Sequence, residues 1–234
     1  MLARGTPLPC NEGPSSPGRS HDDRHPFAHH CSTQGYETGP GSSTALQIGS
    51  SGFISIYAAD TTIPYFIDLH SFPTEADARH VADSFWKATQ AWNLDHVRFT
   101  RVFIQDAAFF SVIHFVGAPG DKTLAEAFFP NSPVESRVVK VYDRAFLFPE
   151  AMVNIFCHEL GHVLGLRHEF AAQREMHNPS VCFGYPNPES VMNYFNHPLE
   201  MAVHWLDIEL TNRLYECRVT SFLGFPIVVV SLSP

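Results

Sequence analysis

Three histidines spaced four and six residues apart, in the segment HELGHVLGLRH (158–168), constrain the fold of this chain more than any other feature. The residues before and within it place apolar side chains at helical spacing, which predicts a helix. On that helix His158 and His162 lie one turn apart on the same face. His168 would lie about 9 Å further along a straight helix, on a different face. We therefore predict that the chain turns back at Gly165, because glycine adopts the left-handed conformation that ends helices at little steric cost.

A helix followed by a sharp return brings three imidazoles to one point, and this arrangement predicts a zinc site. Three nitrogen ligands leave a fourth position open, which is typical of catalytic rather than structural zinc. Glu159, beside the first ligand, can reach a water molecule on the metal without binding the ion itself. The alternative is a buried helix that contains histidines by chance. With 14 His and 14 Gly in 234 residues, the pattern arises by chance in about two of ten thousand such chains.

The pattern HExxHxxGxxH resembles the zinc-binding motif of the metzincin metallopeptidases. In that family a tight turn places a methionine beneath the zinc ligands, and SVMNY (190–194) is similar to this turn, which gives Met192 that role. Glu169, directly after the third histidine, resembles the astacin branch, whereas the 23 residues between His168 and Met192 are nearer to the matrixin spacing. Over roughly residues 53–215 the chain resembles small astacin-like metallopeptidases of fungi and bacteria.

The resemblance implies a mechanism as well as a family. Zinc held by His158, His162 and His168 would activate water, and Glu159 would act as the general base for peptide-bond hydrolysis. Tyr194 would serve as a loose fifth ligand that swings to hydrogen-bond the oxyanion. The expected function is a zinc endopeptidase with protein or peptide substrates. The alternatives are a catalytically silent zinc-binding protein of the same fold and a structural domain whose histidines are incidental.

The resemblance also implies an α+β fold of the metzincin type. It has a twisted mixed sheet, two long helices, an active-site cleft and a small irregular C-terminal subdomain. Residues 1–52 are rich in Gly, Ser, Pro and His and bury too little apolar surface to offset chain entropy, so we predict that they are disordered. Residues 53–234 then form the catalytic domain.

Apolar periodicity predicts the main elements of that domain. We expect a strand near 63–69, further strands at 97–103, 109–116 and 136–143, and a closing helix within 199–218. A first helix, capped by Thr74 and Asp77, has a core-facing stripe of Val81, Phe85, Ala88 and Trp92. The resemblance implies that the segment 109–120 is the edge strand over the cleft, where a peptide could pair by strand addition; the alternative is an ordinary sheet edge.

Five cysteines give an odd count, and their pairing cannot be read from the sequence. Cys182 and Cys217 flank the methionine turn and could be bridged in an oxidising compartment. Cys157 is expected to be a small buried residue rather than a ligand. Cys10 or Cys31 could block the zinc as a thiolate, although neither lies in the motif expected of matrixin pro-regions.

Charge and hydropathy exclude several classes of partner. A formal net charge of −9 argues against nucleic acid and anionic membranes as main partners, and no apolar run reaches the roughly 18 residues of a membrane span. The first residues lack the apolar core of a signal peptide, although the resemblance implies an extracellular enzyme. A wrongly assigned gene start, another export route or an intracellular enzyme would each explain this. We expect a monomer.

Overall fold

The largest sheet has five strands and is mixed, as predicted for an α+β fold. The computed structural model describes residues 46–117, 122–169, 171, 177–185 and 187–232. The strands, in spatial order, are β4 (Val97–Val102), β3 (Thr61–Ile67), β5 (Phe110–Phe115), β7 (Val138–Tyr142) and β6 (Ala125–Glu126). All neighbours are parallel except β6, which runs antiparallel to β7.

Two helices pack together and against this sheet. They are α1 (Glu75–Ala91) and α2 (Met152–Val163). Thr74 caps α1 as predicted, since its hydroxyl accepts from the Asp77 backbone N–H at 3.1 Å. Phe85 on the predicted stripe is fully buried, and its ring contacts Tyr65 of β3, Phe110 of β5 and Phe156 of α2. The predicted strands and both helices are thereby confirmed, apart from Leu69, which lies beyond β3 and is exposed.

The prediction that 109–120 forms the sheet edge is wrong. β5 lies between β3 and β7 and is paired on both sides, for example Phe110 with Tyr65 and Val112 with Val139. The two edge strands are instead β4 and β6, and β6 is only two residues long, too short to show an apolar period in the sequence. Residues 118–121 lie outside the described residues.

A second, three-stranded sheet is built from distant segments. Its order is β8 (Leu166–Arg167), β1 (Leu46–Ile48) and β9 (Val181–Phe183), all antiparallel. All three β1 residues are buried. The predicted boundary after residue 52 therefore falls inside folded chain, since β1 belongs to the same core as the helices. Residues 1–45 lie outside the described residues, so disorder there stays a prediction.

The C-terminal part adds a helix and a third sheet. Helix α3 (Trp205–Glu216) confirms the predicted closing helix. It is followed by β10 (Ser221–Phe222) and β11 (Phe225–Val230), and β11 pairs in parallel with β2 (Ile54–Tyr57). No helix among the described residues is long and apolar enough to cross a membrane.

The cysteines correct one prediction and bear out another. Cys182 is disulfide-bonded, but Cys217 is a free thiol, so the predicted pairing of these two is wrong. The partner of Cys182 is not among the described residues, and Cys10 and Cys31 both lie outside them. Cys157 is free and 3% exposed, as expected of a small buried residue. Its burial raises the pKa of the thiol to about 12.

Candidate metal centre

Helix α2 presents His158 and His162 on one face, as the sequence predicted. Pro149 opens the turn that leads into the helix, where the fixed φ of proline suits a first helical turn. His158 Nδ1 donates to the Val191 carbonyl at 2.8 Å, and His162 Nδ1 donates to the Leu166 carbonyl at 2.9 Å. A carbonyl can only accept, so the proton of each neutral imidazole lies on Nδ1 and the Nε2 lone pair is left for a metal.

Gly165 makes the turn that the sequence required. Its φ is +92°, and its N–H bonds back to the His162 carbonyl at 2.9 Å, which ends the helix. A side chain here would be strained, and its Cβ would also lie 2.6 Å from the Ser55 carbonyl oxygen. Glycine is therefore needed both for the backbone conformation and for the close approach of another strand.

His168 lies directly after β8 rather than on the helix. β8 pairs with β1 in the register Gln47–Arg167 and Ile48–Leu166. The Arg167 side chain is fully buried and donates to the carbonyls of Gly49, at 3.1 Å, and Asn178. The strand directly before the third histidine is thus held by a segment that the sequence predicted to be disordered.

The nitrogens of the three histidines meet at one point and fit a zinc ion. One ligand nitrogen from each lies within 4.8 Å of the others, and Nε2 of His158 lies 3.2 Å from Nε2 of His168. Two nitrogens bound to one tetrahedral zinc would be about 3.3 Å apart. His162 Nε2 is buried and has no hydrogen-bond partner among the described residues. Such an orphaned acceptor is costly unless something such as a cation binds it.

Burial keeps two of these imidazoles in the form that binds metal. Desolvation, reinforced by the neighbouring His168, lowers the pKa of His158 to about 3. The same two causes, together with His158, lower the pKa of His162 well below its ordinary value. Both rings are therefore neutral near pH 7, as zinc ligation requires. Glu159 follows directly on α2 and is 2% exposed, but it is not one of the three clustered ligands.

Met192 is fully buried and lies against Gly161, between the two helix ligands, while its role as the floor of the site stays a prediction. A Cβ on Gly161 would overlap its sulfur and crowd Trp92. Gly161 was missed in the sequence analysis, yet a signal existed. A glycine inside a helix costs about 1 kcal/mol relative to alanine, so its presence between two ligands indicates a close approach.

Tyr194 lies beside the third ligand. Its hydroxyl is 3.1 Å from Nδ1 of His168, so each of the three imidazoles has an oxygen partner at Nδ1. This position orients His168. The predicted roles of Tyr194 as oxyanion donor and fifth ligand stay predictions.

Two buried carboxyls lie behind the methionine turn. Burial, with a further contribution from the negative charge of Asp207, raises the pKa of Glu169 to about 8, and the Ser190 hydroxyl opposes the shift. Burial also raises the pKa of Asp207, which accepts backbone hydrogen bonds from Val191 and His204. Asp207 was missed in the sequence analysis, because an aspartate at the start of a helix usually reads as an exposed capping residue.

Comparison with known proteins agrees with this geometry. A family model described as Met-zincin matches residues 145–202, the segment that carries the three histidines, Glu159 and Met192. The solved structure of myroilysin is similar with a TM-score of 0.51 at 12% identity, covering 68% of this chain and 82% of that chain. No curated protein matches the sequence. The predicted metzincin fold is confirmed, and the comparisons support a metallopeptidase of the metzincin kind, while the astacin-like or matrixin-like subtype stays a prediction.

Proposed function

We propose that this chain is a zinc-dependent endopeptidase that hydrolyses peptide bonds in proteins. The observation that carries the proposal is the convergence of three buried histidines, with an orphaned Nε2 on His162 and a glutamate next to the first ligand. Three nitrogen ligands leave a coordination position for water or substrate. The Met-zincin match over the same segment supports it.

Zinc bound by His158, His162 and His168 would act as a Lewis acid toward the scissile carbonyl and lower the pKa of water. Glu159 accepts the proton of the attacking water and returns it to the leaving amine nitrogen. The Val191 and Leu166 carbonyls keep the two helix imidazoles in the ligating tautomer. Tyr194 donates to the developing oxyanion, which requires its hydroxyl to leave Nδ1 of His168.

The same proposal includes export to an oxidising compartment. The disulfide at Cys182 lies in β9, which pairs with β1 beside the strand directly before His168. Disulfides persist in extracellular and other oxidising locations and are rare in the cytosol. An extracellular peptidase is the function that this bond favours.

The test compares the parent protein with Glu159→Gln and with Glu150→Gln, an exposed glutamate just before α2. We expect zinc in all three proteins, and cleavage of a denatured protein substrate by the parent and by Glu150→Gln. Turnover by Glu159→Gln should fall by about two to four orders of magnitude, the range for a lost general base.

Full turnover by Glu159→Gln would remove it as the base. Zinc in every protein with cleavage in none would indicate a silent zinc-binding protein instead.

A further inference from the structure

Asp207 occupies an unusual position for a carboxylate, at the start of α3 and 1% exposed. Its Oδ2 accepts from the Val191 backbone N–H at 2.9 Å and from the His204 backbone N–H at 3.0 Å. Its Oδ1 accepts from Asn187 Nδ2 at 3.3 Å. Three donors converge on one buried carboxylate, and only one of them, His204, belongs to the cap of the helix itself.

The contact to Val191 connects α3 to the candidate metal centre. Val191 lies in the methionine turn and is fully buried. Its N–H donates to Asp207, while its carbonyl accepts the Nδ1 proton of His158 at 2.8 Å. A single residue therefore links the carboxylate of one helix to a ligand on another. The corresponding partner of His162, the Leu166 carbonyl, lies four residues along the chain from that ligand and does not depend on α3.

We propose that Asp207 is a positioning residue for the metal centre, acting through Val191 on His158. By fixing the Val191 backbone, it holds the carbonyl that sets the tautomer and the ring orientation of His158. Groups that orient metal ligands are worth about 10- to 100-fold in metal affinity or activity. Asp207 contacts Val191 rather than His158 itself, so we expect its loss to weaken zinc binding by about tenfold, the lower end of this range. The inference rests on the proposed zinc site.

The competing explanation is that Asp207 only stabilises its helix. It forms a capping box with His204, whose ring accepts from the Leu206 backbone N–H at 3.3 Å. Two controls isolate this effect. His204→Ala removes the side-chain cap but keeps the Asp207 carboxylate on Val191. Thr211→Val removes a buried hydrogen bond from the same helix, since the Thr211 hydroxyl donates to the Asp207 backbone carbonyl at 2.6 Å.

The experiment measures zinc affinity by competition with a chelator for the full chain, Asp207→Ala, Asp207→Leu and the two controls. The visible absorption of each cobalt-substituted protein reports the geometry around the ion, and thermal unfolding reports stability. We expect about tenfold weaker zinc binding and shifted cobalt bands for both Asp207 variants. The controls should lose stability without either change. Should Asp207→Ala fail to fold, Asp207→Leu carries the test, because leucine is close to aspartate in shape and offers no acceptor to the Val191 N–H.

Zinc affinities and cobalt spectra of the Asp207 variants equal to those of Thr211→Val would overturn the inference. Both readouts are independent of peptide cleavage. A parent chain that binds zinc but cleaves no peptide would contradict the proposed peptidase and leave this test intact. A parent chain that binds no zinc would overturn both.

Discussion

His158 and His162 reach the candidate metal centre from a single helix, whereas His168 directly follows a two-residue strand, β8, whose partner strand β1 is remote in sequence. The helical pitch of α2 alone brings the His158 and His162 side chains to the same face. The strand needs β1, and the buried Arg167 beside His168 bonds to a carbonyl 118 positions earlier in the chain. One half of the site is therefore local and the other depends on the assembled fold. Variants that damage β1 should distinguish the two halves.

The largest effect is expected from removing a ligand on the strand side. His168→Ala leaves α2 intact but leaves only two nitrogens for the ion. The dissociation constant for zinc should rise by more than 100-fold, beyond the range of about 10- to 100-fold seen for groups behind the ligands. His162→Ala should match it, since both donate one nitrogen. Unchanged zinc content in His168→Ala would refute a site of three histidines.

Ile48→Ala tests whether the strand half depends on β1, with Ile63→Ala as its control. Both side chains are 0% exposed, and each truncation should lower the free energy of unfolding by about 2–5 kcal/mol. Only Ile48 lies on β1 and pairs with Leu166 of β8. Zinc affinity, measured well below the unfolding temperature, should fall in Ile48→Ala and stay at the parent value in Ile63→Ala. Equal affinities would show that β8 holds its place without β1.

Glu169→Gln should change how stability depends on pH. In the folded metal-free protein the pKa of Glu169 is about 8, against an ordinary value of 4.5, so the folded state binds a proton that the unfolded state has lost. This proton on Glu169 stabilises the folded state fully below about pH 4.5, and the stabilisation is lost as the pH rises to about 8. It amounts to a few kcal/mol at most.

The measurement for Glu169 is the difference in free energy of unfolding between variant and parent from pH 5 to pH 8. The buried histidines shift stability with the opposite sign, since their lowered pKa values remove stability as the pH falls. Subtracting the parent isolates Glu169. We expect the free energy of unfolding of Glu150→Gln to differ from that of the parent by the same amount at every pH. The same result for Glu169→Gln would contradict a buried protonated Glu169.

Tyr194→Phe should have the smallest effect on the metal itself. Its hydroxyl touches Nδ1 of His168, so its loss should raise the zinc dissociation constant by about tenfold or less. Turnover should fall by about one to three orders of magnitude if the hydroxyl also serves the oxyanion. Weaker zinc binding with unchanged turnover at saturating zinc would limit Tyr194 to orienting His168.

The parts of the molecule that the sequence predicted are those whose requirements are local. The spacing of His158 and His162, the stripe on α1 and the conformation of Gly165 each follow from a few adjacent residues. β1 could not be predicted, because three residues within a Gly- and Ser-rich segment show no period. β6 is shorter still and was not recognised in the sequence, so β5 was wrongly expected to lie at the edge of the sheet. The contacts of Asp207 and the free thiol of Cys217 depend on which distant segments of the chain meet, and the spacing of residues in the sequence does not show this.

The most direct test of the three-histidine centre is a crystal structure of the zinc-loaded protein with anomalous difference density at the zinc absorption edge. We expect one peak about 2.0–2.1 Å from Nε2 of each of His158, His162 and His168, with Glu159 beyond bonding distance. A peak bound by the two helix histidines without His168, or reached through Nδ1 atoms, would contradict it.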